Sequence, residues 1–550
     1  MENRRILIIG LDGVTWRLLE PMMEEGLLPN LKRLREEGVG GVLESTKPPV
    51  TATAWVTFQT GVLPGKHGVY EFNQYTPGSY ETHFATSRDF VLPTIWELAS
   101  EQGKKVVVVN VPLTYPPRPV NGCVITGIQT PNLKSTFTFP PELSGEILAH
   151  VPGYTIVTPQ SFYNLRGLEE FTRMCIKTEQ ERLKAMKFLL AEKCPDWDIA
   201  MFHVQSLDLM QHAVYWMLDQ RNEHFDARAY SVAVELYREV DRMLGELFSL
   251  APSGTLKVTL SDHGHQPVYK TINLNTFLYS QGLIALRTGG GARRWAFKII
   301  RRLLHFDRWN LNRLIGRRRR RKLVDRLAQG TIIDWSRTKA YMLNGWVYGN
   351  IYINVRGREP LGIVDPGAEY EALREELFAL LKDFRDPASG EPVIQIVYRR
   401  EEIFQGPFID QAPDLIVVPH EGYEFSSSVF QHSDEVFRAN QLRRDHTGSH
   451  SLDGICLFAG PMVNRGAILE GARLVDMFPT LLAWMGIPIP SYGDGQVLEG
   501  VFRPESLQEM SIMYQNTALP LASEGDREVR VYSEEETEDV EERLRGLGYL

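Results

Sequence analysis

Three aspartates in this chain each close a strand-like apolar run, which places its chemistry at one edge of a sheet. Asp12 closes ILIIGLD, Asp208 closes IAMFHVQSLD and Asp262 closes LKVTLSD. Helical stretches separate the runs: PNLKRLREEG, TIWELASEQG, residues 167–193 and residues 227–250. This alternation predicts an α/β fold, a mostly parallel sheet with helices on both faces. In such sheets ligands bind at the carboxyl ends of the strands. Two of the aspartates have histidine company. His212 follows Asp208 in DLMQH, and His263 follows Asp262 in SDHGH. Carboxylates and imidazoles converging there are the donor set of a site for two divalent ions, as in an enzyme acting on phosphate or sulfate esters.

Asp208 and His212, four apart, can share one face of a helical turn and hold one ion. Asp262 and His263 are adjacent and suit a strand-end turn that splays both side chains toward metal. A third imidazole is expected beside Asp208 and His212, and DHTGSHSLDG offers His446 and His450. His67 follows a Pro-Gly turn and reads as a hydrogen-bonded structural histidine. The nucleophile candidates lie in ESTKPPVTATAWVTFQTG, where a helix is expected to begin near Thr51. A hydroxyl at a helix start sits near backbone N–H donors that favour an anionic oxygen and a bound phosphate. Thr51 is the first choice and Thr53 the second; the plainer role for Thr51 is a helix cap.

No apolar run approaches the roughly 20 residues of a spanning helix. The first apolar run is shorter than the core of a signal peptide. Cys123, Cys175, Cys194 and Cys456 are scattered, with no C-x-x-C. These features predict a cytoplasmic protein without a zinc–cysteine site. The net charge is −9, yet residues 293–326 carry fourteen Lys/Arg against two Asp, leaving −21 for the rest. Trp295, Phe297, Ile299, Leu303, Leu304, Phe306 and Trp309 interleave with these arginines. The segment is expected to be an amphipathic helix on a cap. Its pattern suits an anionic membrane surface, which would make the protein peripheral to the inner membrane face, or an apolar face packed on the cap. Nucleic acid is not expected, since no recognised motif accompanies the run. The expected organisation is a catalytic core over 1–263, an inserted cap over 264–440, the core resumed over 441–505, and an acidic tail with a short helix over 506–550.

These blocks resemble the alkaline phosphatase superfamily, and within it the type I phosphodiesterase/nucleotide pyrophosphatase group. LIIGLDG looks like that family's first metal-binding strand, and VTATAWVTFQTGVLPGKHGV like its nucleophile helix and following turn. SLDLMQH, SDHG and GSH match its other ligand blocks, and DMFPTLLAWMGIPIPSYGDGQVL its C-terminal helix and turn. The resemblance implies a three-layer α/β/α sandwich with an inserted cap. It also implies two ions, usually zinc and sometimes manganese. Asp208, His212 and His450 would hold one; Asp12, Asp262 and His263 would hold the other, with Thr51 bridging toward it. Thr51 would form a covalent phospho-threonine, later hydrolysed by water. The substrate would be a small-molecule phosphate ester. The chain departs from the nucleotide pyrophosphatases at Ala52-Thr53-Ala54, where they carry aromatic-Pro-Asn. Their substrate-binding Asn is matched by Phe72, with Asn73 one residue later. A phosphomutase or phosphotransferase on the same core is the alternative, with Arg356, Arg358, Arg399 and Arg400 in the cap to hold phosphate. A membrane-associated binding protein that keeps the core as scaffold is the other. The 45–60 region lacks the C/S-x-P-x-R context of sulfatases.

Overall fold

The computed structural model describes residues 4–158, 165–287, 333–426, 435–441, 446–521 and 531–547. The expected basic helix over 293–326 lies outside them. Nine strands form the central sheet. In spatial order they are Ile468–Arg473, Val39–Glu44, Asp453–Ala459, Leu256–Leu260, Ile6–Leu11, Ile199–Val204, Val106–Val109, Gly122–Ile125 and Thr138–Phe139. The five from Leu256–Leu260 to Gly122–Ile125 pair in parallel. Asp453–Ala459 and Thr138–Phe139 run against their neighbours.

Strand alternation builds the layers. Ile6, Ile8, Val106, Val108, Ile199 and Met201 enter one apolar core, with the helices Thr51–Thr60 and Met477–Met485. Leu7, Ile9, Val107, Val109, Ala200 and Phe202 enter another, with Leu165–Phe188, Ser206–Leu218 and Ala227–Leu250. Successive side chains of one strand point to opposite faces, so buried strands of this kind need helices on both sides. The result is an α/β/α sandwich.

A third apolar core is built from residues between 272 and 425, joined by Tyr75. It packs the helix Ala368–Lys382 on an antiparallel sheet of Ala340–Met342, Gly349–Ile353, Leu415–Pro419 and Ile394–Arg399. The strand Gly264–Asn273 leads into this region. It pairs with Gly448–Ser451 at its start and with Gly422–Ser426 further on. A short helix, Leu274–Ser280, follows it. Residues 271–273 are held extended by the partner strand.

Among the described residues, no helix is long and apolar enough to cross a membrane.

Candidate metal centre

Asp12 immediately follows the strand Ile6–Leu11, and Asp262 lies two residues past Leu256–Leu260. Asp208 differs from expectation. The strand before it ends at Val204, and Asp208 sits in the first turn of the helix Ser206–Leu218. That helix start is fixed from outside: Glu179 Oε1 accepts from Ser206 N at 3.1 Å and from Ser206 Oγ at 2.6 Å. Arg182 holds the same carboxylate at 3.0 Å. His212, one turn on, then shares a face with Asp208.

The side chains gather in two buried groups. One is Asp208, His212, His265 and His450; the other is Asp12, Asp262 and His263. Within each group the donor atoms all lie within 4.8 Å of one another. Asp208 Oδ1 lies 3.4 Å from Nε2 of His212, 3.4 Å from that of His450 and 3.6 Å from that of His265. His263 Nε2 lies 3.3 Å from Asp262 Oδ2 and 3.6 Å from Asp12 Oδ1. Gly13 makes the approach possible. Its φ is +69°, and a Cβ there would fall 2.6 Å from Asp208 Oδ1 and 2.8 Å from the His265 ring.

Backbone carbonyls set every imidazole. Nδ1 donates to Gly448 O from His212 at 2.9 Å and to Pro49 O from His450 at 2.8 Å. His265 donates to Gly13 O at 2.8 Å, and His263 to Gly264 O at 3.1 Å. A carbonyl can only accept, so each Nδ1 carries the proton and each Nε2 turns a lone pair inward. Nε2 of His212 and Nε2 of His450 face one another at 3.0 Å. Two lone pairs at that distance repel, and a cation between them turns the repulsion into coordination. Asp12 Oδ1, Asp262 Oδ2 and His265 Nε2 are buried without a hydrogen bond. Buried polar atoms are rarely left so. The residues of both groups therefore fit a divalent cation.

Electrostatics point the same way. Burial, then the charges of Asp262 and Asp208, pushes Asp12 well above the ordinary carboxylate range. Burial and Asp208 push Asp262 up as well. Burial also works against ionisation of Asp208; in the cation-free site it is offset only by protonation of the facing imidazoles, His212 foremost, and a bound cation takes the place of that proton. Without cations, then, the site cannot ionise all three carboxyls.

Two other buried histidines set a pH dependence. Burial lowers His67 and His203 to about 3. Their folded values lie below the unfolded one, so the stability they contribute is present above about pH 6.5 and is lost as pH falls. At about pH 5.5 each costs about 1.4 kcal/mol relative to neutral pH. The raised Asp12 and Asp262 act oppositely in metal-free protein, where stability is lost as pH rises above the unfolded carboxylate value of about 4. Melting curves of metal-loaded protein should fall clearly between about pH 7.5 and about pH 5.5, and those of chelator-treated protein should fall less. Equal slopes would contradict this assignment of charge.

Thr51 is the first residue of the helix Thr51–Thr60, whose cap is Val50 and has no side-chain bond. Thr51 is thus not a cap. Its Oγ lies 3.1 Å from His263 Nε2, beside the Asp12 group. Thr53 is turned about 200° around the helix from Thr51. His450 belongs to the first group, whereas His446 lies outside it, its ring 5.2 Å from that of His212. His67 is structural, as expected: Val69 N–H donates to its Nδ1 at 3.0 Å, and its Nε2 meets Thr57 Oγ at 3.1 Å. Asn73 opens the short strand Asn73–Tyr75, paired with Thr82–Phe84, and its carbonyl accepts from Asn344 Nδ2.

Two residues were not anticipated. His265 joins the Asp208 group; its signal was the second histidine of SDHGH. His203, the polar residue inside IAMFHV, meets Asp12 Oδ2 through Nε2 at 2.9 Å. A lone histidine in a fully buried strand was the available signal.

The sequence matches the family described as type I phosphodiesterase / nucleotide pyrophosphatase over residues 6–451. None of the curated proteins compared matches the chain. Among solved structures, phosphonoacetate hydrolase from Sinorhizobium meliloti 1021, in complex with phosphonoformate, aligns with TM-score 0.54 and 18% identity. That alignment covers 88% of this chain and 96% of the other. Murine ectonucleotide pyrophosphatase/phosphodiesterase 5, an inactive threonine-to-alanine variant in complex with AMP, aligns with TM-score 0.51 and 12% identity. It covers 88% of this chain and 95% of the other. Both share the fold described above. The chain belongs to the type I phosphodiesterase / nucleotide pyrophosphatase family of phosphoric ester hydrolases.

Proposed function

We propose that the chain hydrolyses small-molecule phosphoric esters with Thr51 as nucleophile and two divalent ions, zinc or manganese. Asp208, His212 and His450 would hold one ion; Asp12, Asp262 and His263 would hold the other. When bound, the ions neutralise the phosphoryl oxygens and lower the pKa of the attacking hydroxyl. The observation that carries the reading is Thr51 Oγ at 3.1 Å from His263 Nε2, at the start of a helix.

The protein's own groups account for much of the chemistry. The first intrahelical bond recorded at this end is Ala54 N to Val50 O. The N–H groups of Thr51, Ala52 and Thr53 therefore have no partner of that kind. Such first-turn donors, with the positive helix end, favour the charge of a phosphoryl group. Thr51 attacks phosphorus, the ester oxygen leaves with a proton, and phospho-threonine forms. Water then cleaves that bond and returns the hydroxyl. That a single threonine-to-alanine variant of the murine relative is inactive supports a threonine nucleophile.

The cap arginines do not favour a phosphomutase. Arg356 pairs with Asp365, Arg358 with Asp414, Arg399 with Glu375 and Arg400 with Asp410. Each is committed to a carboxylate. Substrate binding by Asn73, a cytoplasmic location and contact of 293–326 with an anionic membrane remain part of this proposal. For the last, anionic vesicles should co-sediment the intact protein and not a deletion of 293–326; equal capture of both would contradict it.

The experiment for the function itself is a panel of phosphate monoesters, diesters and phosphonates, each with zinc and with manganese. Turnover of at least one ester, abolished by chelation and restored by metal, is expected. No turnover with any metal would overturn the reading.

A further inference from the structure

The pentapeptide SDHGH sends its two imidazoles to different groups. His263 lies in the turn and faces Asp12 and Asp262. His265 lies in the strand Gly264–Asn273, directly opposite His450 in the antiparallel ladder. We propose that His265 is a fourth protein ligand of the ion at Asp208, so that this ion is retained while the ion beside Thr51 exchanges. The proposal rests on the two-ion reading above.

The tautomer argument is strong for His265. Its Nδ1 faces Gly13 O at 2.8 Å, and Gly13 O also accepts from Gln211 Nε2 at 3.0 Å. The opposite tautomer would set a nitrogen lone pair against that carbonyl oxygen. Nε2 is therefore unprotonated. It is buried, has no hydrogen-bond partner, and lies 3.6 Å from Asp208 Oδ1. A bare nitrogen cannot donate to a carboxylate, so a structural bond to Asp208 does not explain its direction. A cation shared with Asp208, His212 and His450 does.

The consequence is an asymmetry between the groups. Three imidazoles and a carboxylate offer four protein donors at Asp208. Asp12, Asp262 and His263 offer three, and Thr51 Oγ stands beside His263. A fourth protein donor closes the coordination shell that a three-donor site leaves open to exchange. The ion next to the nucleophile is then the more weakly held.

Timed metal analysis tests this. Zinc-loaded protein is passed into excess chelator, and ions per chain are counted against time. One ion should leave fast and one slowly. His265→Asn keeps an amide nitrogen where Nδ1 donates to Gly13 O and removes the far side of the ring, with the ligand atom Nε2. It should release the slow ion roughly tenfold faster or more, by comparison with the losses seen when a metal site's supporting groups are removed. Its chelated form should melt close to the chelated wild type. If it melts much lower, His265→Gln, whose amide can reach the Nε2 position, should restore part of the slow phase. Unchanged slow release in His265→Asn, or simultaneous release of both wild-type ions, overturns the proposal. Fewer than two ions on loaded wild-type protein overturns the two-ion reading instead; an accelerated release in His265→Asn would still support His265 as a ligand.

Discussion

Thr51→Ala is expected to lower turnover of any accepted ester by on the order of 10⁴-fold or more. It should leave two ions per chain. The substitution removes the attacking hydroxyl and one methyl group, and Thr51 is fully buried at the first position of its helix. Alanine is also the best helix former, so the helix itself should not suffer. Residual activity would come from the helix N-terminus and the ions acting on water. Steady-state rates and metal content, measured on the same preparation, check both halves. A variant with near-wild-type rates would remove Thr51 from the mechanism and promote Thr53.

Asp208→Asn is expected to cost one ion and at least about 10³-fold in rate. Asp208 Oδ1 is the point on which three imidazole nitrogens converge, and it is the only carboxylate of that group. An asparagine keeps the shape and loses the charge. The three inward lone pairs would then have no anion with which to share a cation. The other group keeps Asp12, Asp262 and His263, so metal content should fall from two to one rather than to zero. Retention of both ions with rates within about tenfold of wild type would show that the three imidazoles suffice without the carboxylate.

The sequence was most readable where chemistry and local pattern coincide. Asp12 and Asp262 follow short, mostly apolar strands, so their positions at the sheet edge could be read from the chain alone. Thr51 could be placed because Pro48 and Pro49 precede a helix-forming run. The boundary before Asp208 was harder. Twelve of the thirteen residues of Ser206–Leu218 are buried, so no polar stripe marks where the strand stops and the helix begins. His265 was missed for a different reason. Its place depends on pairing with His450, far along the chain, and strand register of that kind is not a local property. His450 itself could be chosen over His446 only through the family resemblance. The outward-facing partners, Gly448 O, Pro49 O and Gly13 O, are backbone atoms whose positions no residue type announces.

The central claim is that Thr51 attacks phosphorus. It is tested most directly by acid-quenching metal-loaded protein during turnover and mapping the adduct by peptide mass spectrometry. A phosphoryl group, or a phosphodiester when the substrate is a diester, should appear on Thr51 and disappear when substrate is exhausted. An adduct on Thr53, or steady turnover with no adduct on the Thr51 peptide under any quench time, would contradict the account.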